Sequence, residues 1–229
     1  MSQKLHQLLK DLREQKSLSQ QEVAEKLGMS RPSYILIEQG KRGLTLLEAQ
    51  IITKMFGISL GDLEMGVVPD IEKYKEMILS FLRFFNIKGD GKVPKTKLAK
   101  LLYLADFSYY YANFESMSGM QYRRLKYGPV SDLYFRALDE LEEEGRIERD
   151  NRKSDVILIS ENEGSKKASL KRLQEKEAGL ITKIAKKWED KKTREIVNFT
   201  HNQLPYKASL PDETISYELI IQEDPGHVY

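Results

Sequence analysis

Apolar residues near the start of the chain recur at helical spacing. Leu5, Leu8, Leu9 and Leu12 fall at i, i+3, i+4 and i+7 and predict one buried face of a first helix. Ser19-Gln20-Gln21-Glu22 forms a capping box, in which the Ser19 hydroxyl accepts from the Glu22 amide while the Glu22 carboxylate reaches back. The helix it opens runs to Leu27, and Gly28 permits the left-handed backbone of a tight stop. Ser30 can cap the next helix, with Pro32 tolerated in its first turn, and that helix stops at Gly40. Thr45-Leu46-Leu47-Glu48 is a second capping box, opening a helix expected to end at Gly57. Val23, Leu27, Met29, Tyr34 and Ile37 are apolar where two short helices would pack inward, and Ala24 is small where they would cross. Two short helices joined around a glycine have the geometry of a helix-turn-helix.

After a break at Gly66–Pro69 the pattern restarts. Asp70 to Asn86 reads as a helix with Ile71, Tyr74, Ile78, Phe81, Leu82 and Phe85 inward. A helix from about Pro94 to Asn113 carries two apolar stripes, one through Leu98, Leu101, Leu102, Ala105 and Tyr109, the other through Tyr103, Phe107, Tyr110, Tyr111 and Phe114. Such a helix is central to a core or presents a partner surface. Tyr127-Gly128-Pro129 marks a tight turn, and Ser131 can cap a helix to Glu144 that Gly145 ends. Residues 146–148 and 156–159 flank Asp150-Asn151 as a β-hairpin. A further helix is expected from about Ser165 to Lys192, and Ile215, Tyr217 and Leu219 alternate as in a last strand.

Composition narrows the chemistry. The 229 residues are 40% hydrophobic and 31% charged, within the range of globular domains. No apolar run is long enough for a membrane span, and the amphipathic start is unlike a signal peptide, so a cytoplasmic protein without membrane contact is expected. The absence of cysteine excludes disulfides, thiolate metal sites and cysteine nucleophiles. A net charge of +2 means that any nucleic-acid contact rests on a local patch. His6, His201 and His227 have no metal-ligand spacing, and no Ser or Cys motif accompanies His201. Asp106 stands alone in an apolar helix and reads as a buried anchor rather than a catalytic acid, so no enzyme and no cofactor are expected.

Leu18-Ser19-Gln20-Gln21-Glu22-Val23-Ala24, Gly28-Met29-Ser30 and Ile37-Glu38-Gln39-Gly40-Lys41-Arg42 resemble the XRE/Cro family of helix-turn-helix repressors. The resemblance implies that the helix from Ser30 to Gln39 enters the major groove. Arg31 suits a guanine edge or a phosphate, Ser30 and Ser33 can donate to phosphates or bases, and Ile35 and Leu36 suit thymine methyls beside Pro32. Gln20 lies at a helix N-terminus, and Lys41 and Arg42 suit phosphate neutralisation. Many relatives lack Pro32 and have a more polar face there. The expected partner is a double-stranded DNA operator, bound by a homodimer.

Lys97-Leu98-Ala99-Lys100-Leu101-Leu102-Tyr103-Leu104-Ala105-Asp106, followed by Gly119, Tyr122 and Tyr127-Gly128-Pro129-Val130, resemble the Panacea domain, also described as SocA-like. Relatives often carry Gln where this chain has Ala99. The family's domains occur in antitoxins that hold partner toxins, which implies a cognate toxin protein and makes Tyr103, Asp106, Phe107, Tyr127, Gly128 and Pro129 candidate toxin-binding residues. The expected fold is mainly α: a five-helix helix-turn-helix domain over residues 1–66 and a mostly helical α+β domain over residues 70–229. The expected function is an antitoxin that autorepresses its operon. The alternatives are a regulator whose second domain senses a small molecule or acts as a proteolytic adaptor, and an enzyme with an appended DNA-binding domain.

Overall fold

The first helices form where the capping residues place them. The computed structural model describes residues 3–56, 58, 60, 63, 66, 69–151 and 156–229. Helix α1 (Gln3–Gln15) is followed by α2 (Gln20–Lys26), α3 (Arg31–Glu38) and α4 (Leu46–Phe56). Ser19 and Glu22 close the capping box at α2, and Ser30 accepts from the Ser33 amide at the start of α3. Gly28 and Gly40 both adopt positive φ, as the two helix ends require. Leu8, Leu9, Leu12, Val23, Ala24, Tyr34, Ile37 and Ile52 make one buried core. Gly57, Val67 and Val68, on which a helix end and the junction were expected, lie outside the described residues, as does most of the segment left for a fifth helix.

The chain divides into two compact units, Met1–Pro69 and Asp70–Tyr229, and the second has its own larger core. Its first helix, α5 (Ile71–Lys88), is capped by Asp70, whose side chain accepts from the Lys73 amide. Strand β1 (Val93–Pro94) leads into α6 (Lys95–Asn113), which is buried on every side from Lys97 to Ser108. The two apolar stripes therefore make α6 the central helix. Helix α5 packs against it, as do α9 (Glu175–Trp188) and α10 (Thr193–Asn202), and α7 (Tyr134–Glu143), α8 (Glu163–Lys166) and α11 (Leu204–Ala208) complete the helices of this unit. Strands β4 (Ile147–Asp150) and β5 (Leu158–Glu161) pair antiparallel, and β1 joins the other edge of β5. The protein is mainly α, with small antiparallel sheets in the second unit.

Four expectations change. The helix expected from Ser165 begins at Glu175 instead. Glu76 on α5 accepts from the Lys171 and Arg172 amides and straps that segment out of helix, and a Gln174/Glu177 capping box starts α9. Ser131 lies in a strand, and α7 begins at Tyr134 with no side-chain cap. Around the turn at residues 126–127, β2 (Tyr122–Leu125) and β3 (Gly128–Ser131) form a hairpin that the sequence pattern did not announce. The expected last strand is a 3₁₀ helix over Tyr217–Gln222, preceded by extended backbone. The Arg124 amide donates to the Glu213 carbonyl and the Ile215 amide to the Tyr122 carbonyl, before the chain turns and stacks Tyr217 on Phe107 with ring centroids 4.3 Å apart.

Candidate nucleic-acid and partner interfaces

The recognition face of the first unit is set by what α3 cannot expose. Tyr34 and Ile37 are buried, which turns Arg31, Pro32 and Leu36 outward, with Ser30 exposed at the cap. Ser33 and Ile35 are half-buried beside them, and the Ser33 hydroxyl lies 2.9 Å from that of Ser30. Leu36 is 41% exposed, which suits a base methyl rather than a core position. The orientation of α3 is fixed from its other end. Glu38 accepts from Arg13 Nε at 2.6 Å and from Gln20 Nε2 at 2.9 Å, joining all three of the first helices. Arg13 and Gln20 hold the Glu38 carboxyl below its usual pKa against the opposing effect of burial.

Gln20 is therefore a bridge between helices as well as a surface residue, and Arg31 Nη2 lies 3.5 Å from its Oε1. Lys41 is exposed in the loop after α3. Arg42 donates to Glu48 at 2.7 Å and so arrives with its charge already matched. The Arg13–Glu38 pair carries no sequence signal, because the partners are 25 residues apart and belong to no motif.

In the second unit the six residues singled out from the sequence separate into two groups. Tyr103, Asp106 and Phe107 are wholly buried. Their side chains belong to the core and cannot meet a partner in this fold, which corrects the toxin contact expected of them. Asp106 is an anchor: its carboxylate accepts from the Ser118 amide at 2.7 Å, the Ser118 hydroxyl at 2.5 Å and the Tyr122 hydroxyl at 2.7 Å. Burial pushes its pKa up to about 6 against the pull of these donors. Tyr103 and Phe107 pack edge-on against Tyr122 at centroid distances of 5.5 and 5.8 Å. All three thus brace the β2–β3 hairpin from beneath.

The hairpin itself carries the second group. Tyr127 is 68% exposed at its tip, while Gly128 and Pro129 are buried at the start of β3. Gly128 has φ +94, and a Cβ there would lie 2.7 Å from Lys100 Cε and 3.1 Å from His201 Nε2. Only glycine fits both the conformation and the space. Phe135, 48% exposed on α7, and Leu210, 63% exposed, are further large apolar side chains open to solvent in this unit. Sequence reading missed Lys100, which is wholly buried. The available signal was a lysine inside the otherwise apolar run from Leu98 to Ala105. His201 stacks on Tyr206 with the rings 8° from parallel, and among the described residues its buried Nε2 has no hydrogen-bond partner of a catalytic kind.

Among the described residues no group of three or more His, Cys, Asp or Glu could hold a metal, and no helix is long and apolar enough to cross a membrane. Against known families, residues 9–63 match the helix-turn-helix model and residues 98–206 match the model for the antitoxin SocA-like, Panacea domain. No curated protein and no solved structure matches the chain. Neither family is an enzymatic class, and their fusion marks a DNA-binding antitoxin or regulator.

Proposed function

We propose that this chain, an XRE-type helix-turn-helix segment fused to a SocA-like Panacea segment, is an antitoxin that binds a cognate toxin through residues 70–229 and represses its own operon through residues 1–66, as a homodimer on DNA. The observation that carries the reading is the pairing of an outward Ser30–Arg31–Leu36 face on α3 with a Panacea segment that has a separate core. On the DNA side Arg31 reads base or phosphate, Ser30, Ser33 and Gln20 add polar contacts, Ile35, Leu36 and Pro32 supply the apolar surface, and Lys41 neutralises phosphate with Arg42 as a weaker second. On the toxin side Tyr127 is the contact residue. Gly128 and Pro129 shape the hairpin that presents it, and Tyr103, Asp106 and Phe107 hold that hairpin in place. Co-expression of the chain with the toxic product of a neighbouring gene, scored for growth, tests the reading. Rescue that persists in residues 70–229 alone is expected, and growth arrest in the presence of the folded full chain overturns it.

A further inference from the structure

The exposed face of α9 carries one sign of charge. From residue 176 to residue 187 its solvent-facing positions are Lys176, Gly179, Thr182, Lys183, Lys186 and Lys187, and none is acidic. Among the described residues Lys176, Lys183 and Lys186 form no ion pair. Gly179 sits among them in mid-helix, where glycine is disfavoured. A Cβ there would meet nothing within 4 Å, so no packing in this unit requires the residue. The missing side chain leaves a gap between Lys176 and Lys183 at which another molecule can approach the helix closely.

Beside this face α6, α9 and residues 225–229 line an open groove of about 290 Å³. Lys176 and Leu180 of α9 face it, with Tyr109, Tyr111 and Asn113 of α6 and Tyr229. The three tyrosines are half-buried, so solvent reaches each of them. Among the described residues that line the groove, Lys176 alone is charged. Lys176, Gly179, Leu180, Lys183 and Lys187 fall within an arc of about 100° along about 16 Å of helix. Lys187 Nζ lies 5.4 Å over the Tyr229 ring, which brings the row of cations along the groove wall. Asn113 donates its Nδ2 to the Tyr109 carbonyl at 2.9 Å, which leaves its Oδ1 to accept. Phe114, next in the chain, is 68% exposed at φ +61, a conformation that bulky residues rarely adopt.

We propose that this groove and the α9 lysines form a binding surface for single-stranded RNA, with a base against the Tyr111 and Tyr229 rings and phosphates on Lys176 and Lys183. Accessible aromatic rings beside a row of cations suit bases joined by phosphates. A duplex keeps its bases stacked inside, so only a strand with free bases can fill the recess. The open acceptor of Asn113 suits a ribose 2′-hydroxyl, a donor that DNA lacks. The surface lies wholly in the second unit, and it rests on neither the operator reading nor the toxin reading.

Fluorescein-labelled oligouridylate of about 12 nucleotides is the probe, mixed with the full chain and followed by anisotropy at several salt concentrations. Binding is expected. Lys176→Gln combined with Lys183→Gln should weaken it about tenfold or more and reduce the salt slope by about 1.4, the value for two lost phosphate contacts on a single strand. Tyr111→Ala should weaken it about tenfold with the slope unchanged, and Tyr111→Phe should retain it. Gly179→Gln puts a good helix former at an open position, so the thermal midpoint should not fall while affinity drops several-fold. A merely structural residue would not give that split. No binding at about 100 μM chain in low salt, or binding unchanged in the lysine pair and in Gly179→Gln, overturns the proposal. Binding lost in Lys41→Ala and kept in the second-unit variants also overturns it, since the contact would then belong to α3. Equal affinity for oligodeoxyuridylate removes the assignment to RNA. Tighter binding of N-acetyl-Tyr-Glu-Glu-Tyr-Glu-amide than of the oligouridylate would give the surface to an acidic protein partner instead.

Discussion

The Tyr122 hydroxyl donates to Asp106 Oδ2 at 2.7 Å, and this bond ties the β2–β3 hairpin to the centre of α6. Both residues are fully buried, so the surface turn at residues 126–127 is positioned by a charge that no solvent reaches. The same carboxylate holds the loop after α6 through Ser118.

That arrangement has a pH signature. The folded pKa of Asp106, about 6, lies above its ordinary value of 3.8. A carboxyl raised in this way stabilises the fold fully below about pH 4, and its contribution is lost as pH rises through 6. In Asp106→Asn the group no longer titrates. The stability advantage of the native chain over this variant should therefore shrink between pH 4 and pH 6.5, by up to about 3 kcal/mol. Urea unfolding at both pH values checks this, and a difference that does not change with pH contradicts it.

Tyr127 and Phe107 should respond in opposite ways. Phe107→Ala removes a buried ring stacked on Tyr217 and should cost about 3–5 kcal/mol of stability, losing toxin rescue through unfolding. Tyr127→Ala removes an exposed ring and should leave the thermal midpoint nearly unchanged while weakening rescue. Thermal melts and rescue assays on the same two variants decide the matter. Full rescue by Tyr127→Ala would take the hairpin tip out of the toxin contact.

On DNA, Arg31→Ala should weaken specific binding by about 1–3 kcal/mol, whereas Lys41→Ala should weaken specific and non-specific binding alike and reduce the salt slope by about 1. Arg42→Ala should cost less than Lys41→Ala, because Glu48 already pairs with Arg42. Affinity measured at several salt concentrations separates these effects. Unchanged operator affinity in the double Arg31/Lys41 variant rules out the α3 face.

The Arg13–Glu38 pair should matter to DNA binding without touching DNA. Glu38→Gln removes the charge that Arg13 and Gln20 share, freeing α3 to shift. Operator affinity should fall about tenfold or less, with little change in salt slope, since no phosphate contact is lost. A slope change as large as that of Lys41→Ala would mean that Glu38 acts through long-range charge instead.

Local chemistry in the sequence was enough to place the central helices of the first unit. Ser19 with Glu22, Ser30, Thr45 with Glu48, and the glycines at 28 and 40 act over three or four residues, so reading them in order locates α2, α3 and the start of α4. The inward Tyr34 and Ile37 then fix which side of α3 faces outward. The helical pattern of α6 was legible for the same reason, but its aromatic stripe, which fits a core better than an interface, excluded neither. Only the packing of α5, α9, α10 and the 3₁₀ segment around it made Tyr103 and Phe107 interior. What the sequence could not supply were pairings across long separations. Glu76 straps residues 171–172, Asp106 accepts from Tyr122, and Lys100 sits under the Pro129 carbonyl, each through partners that share no local pattern. Burial, and with it the shifted protonation of Asp106 and Lys100, belongs to the folded chain alone, because desolvation comes from atoms that other segments bring.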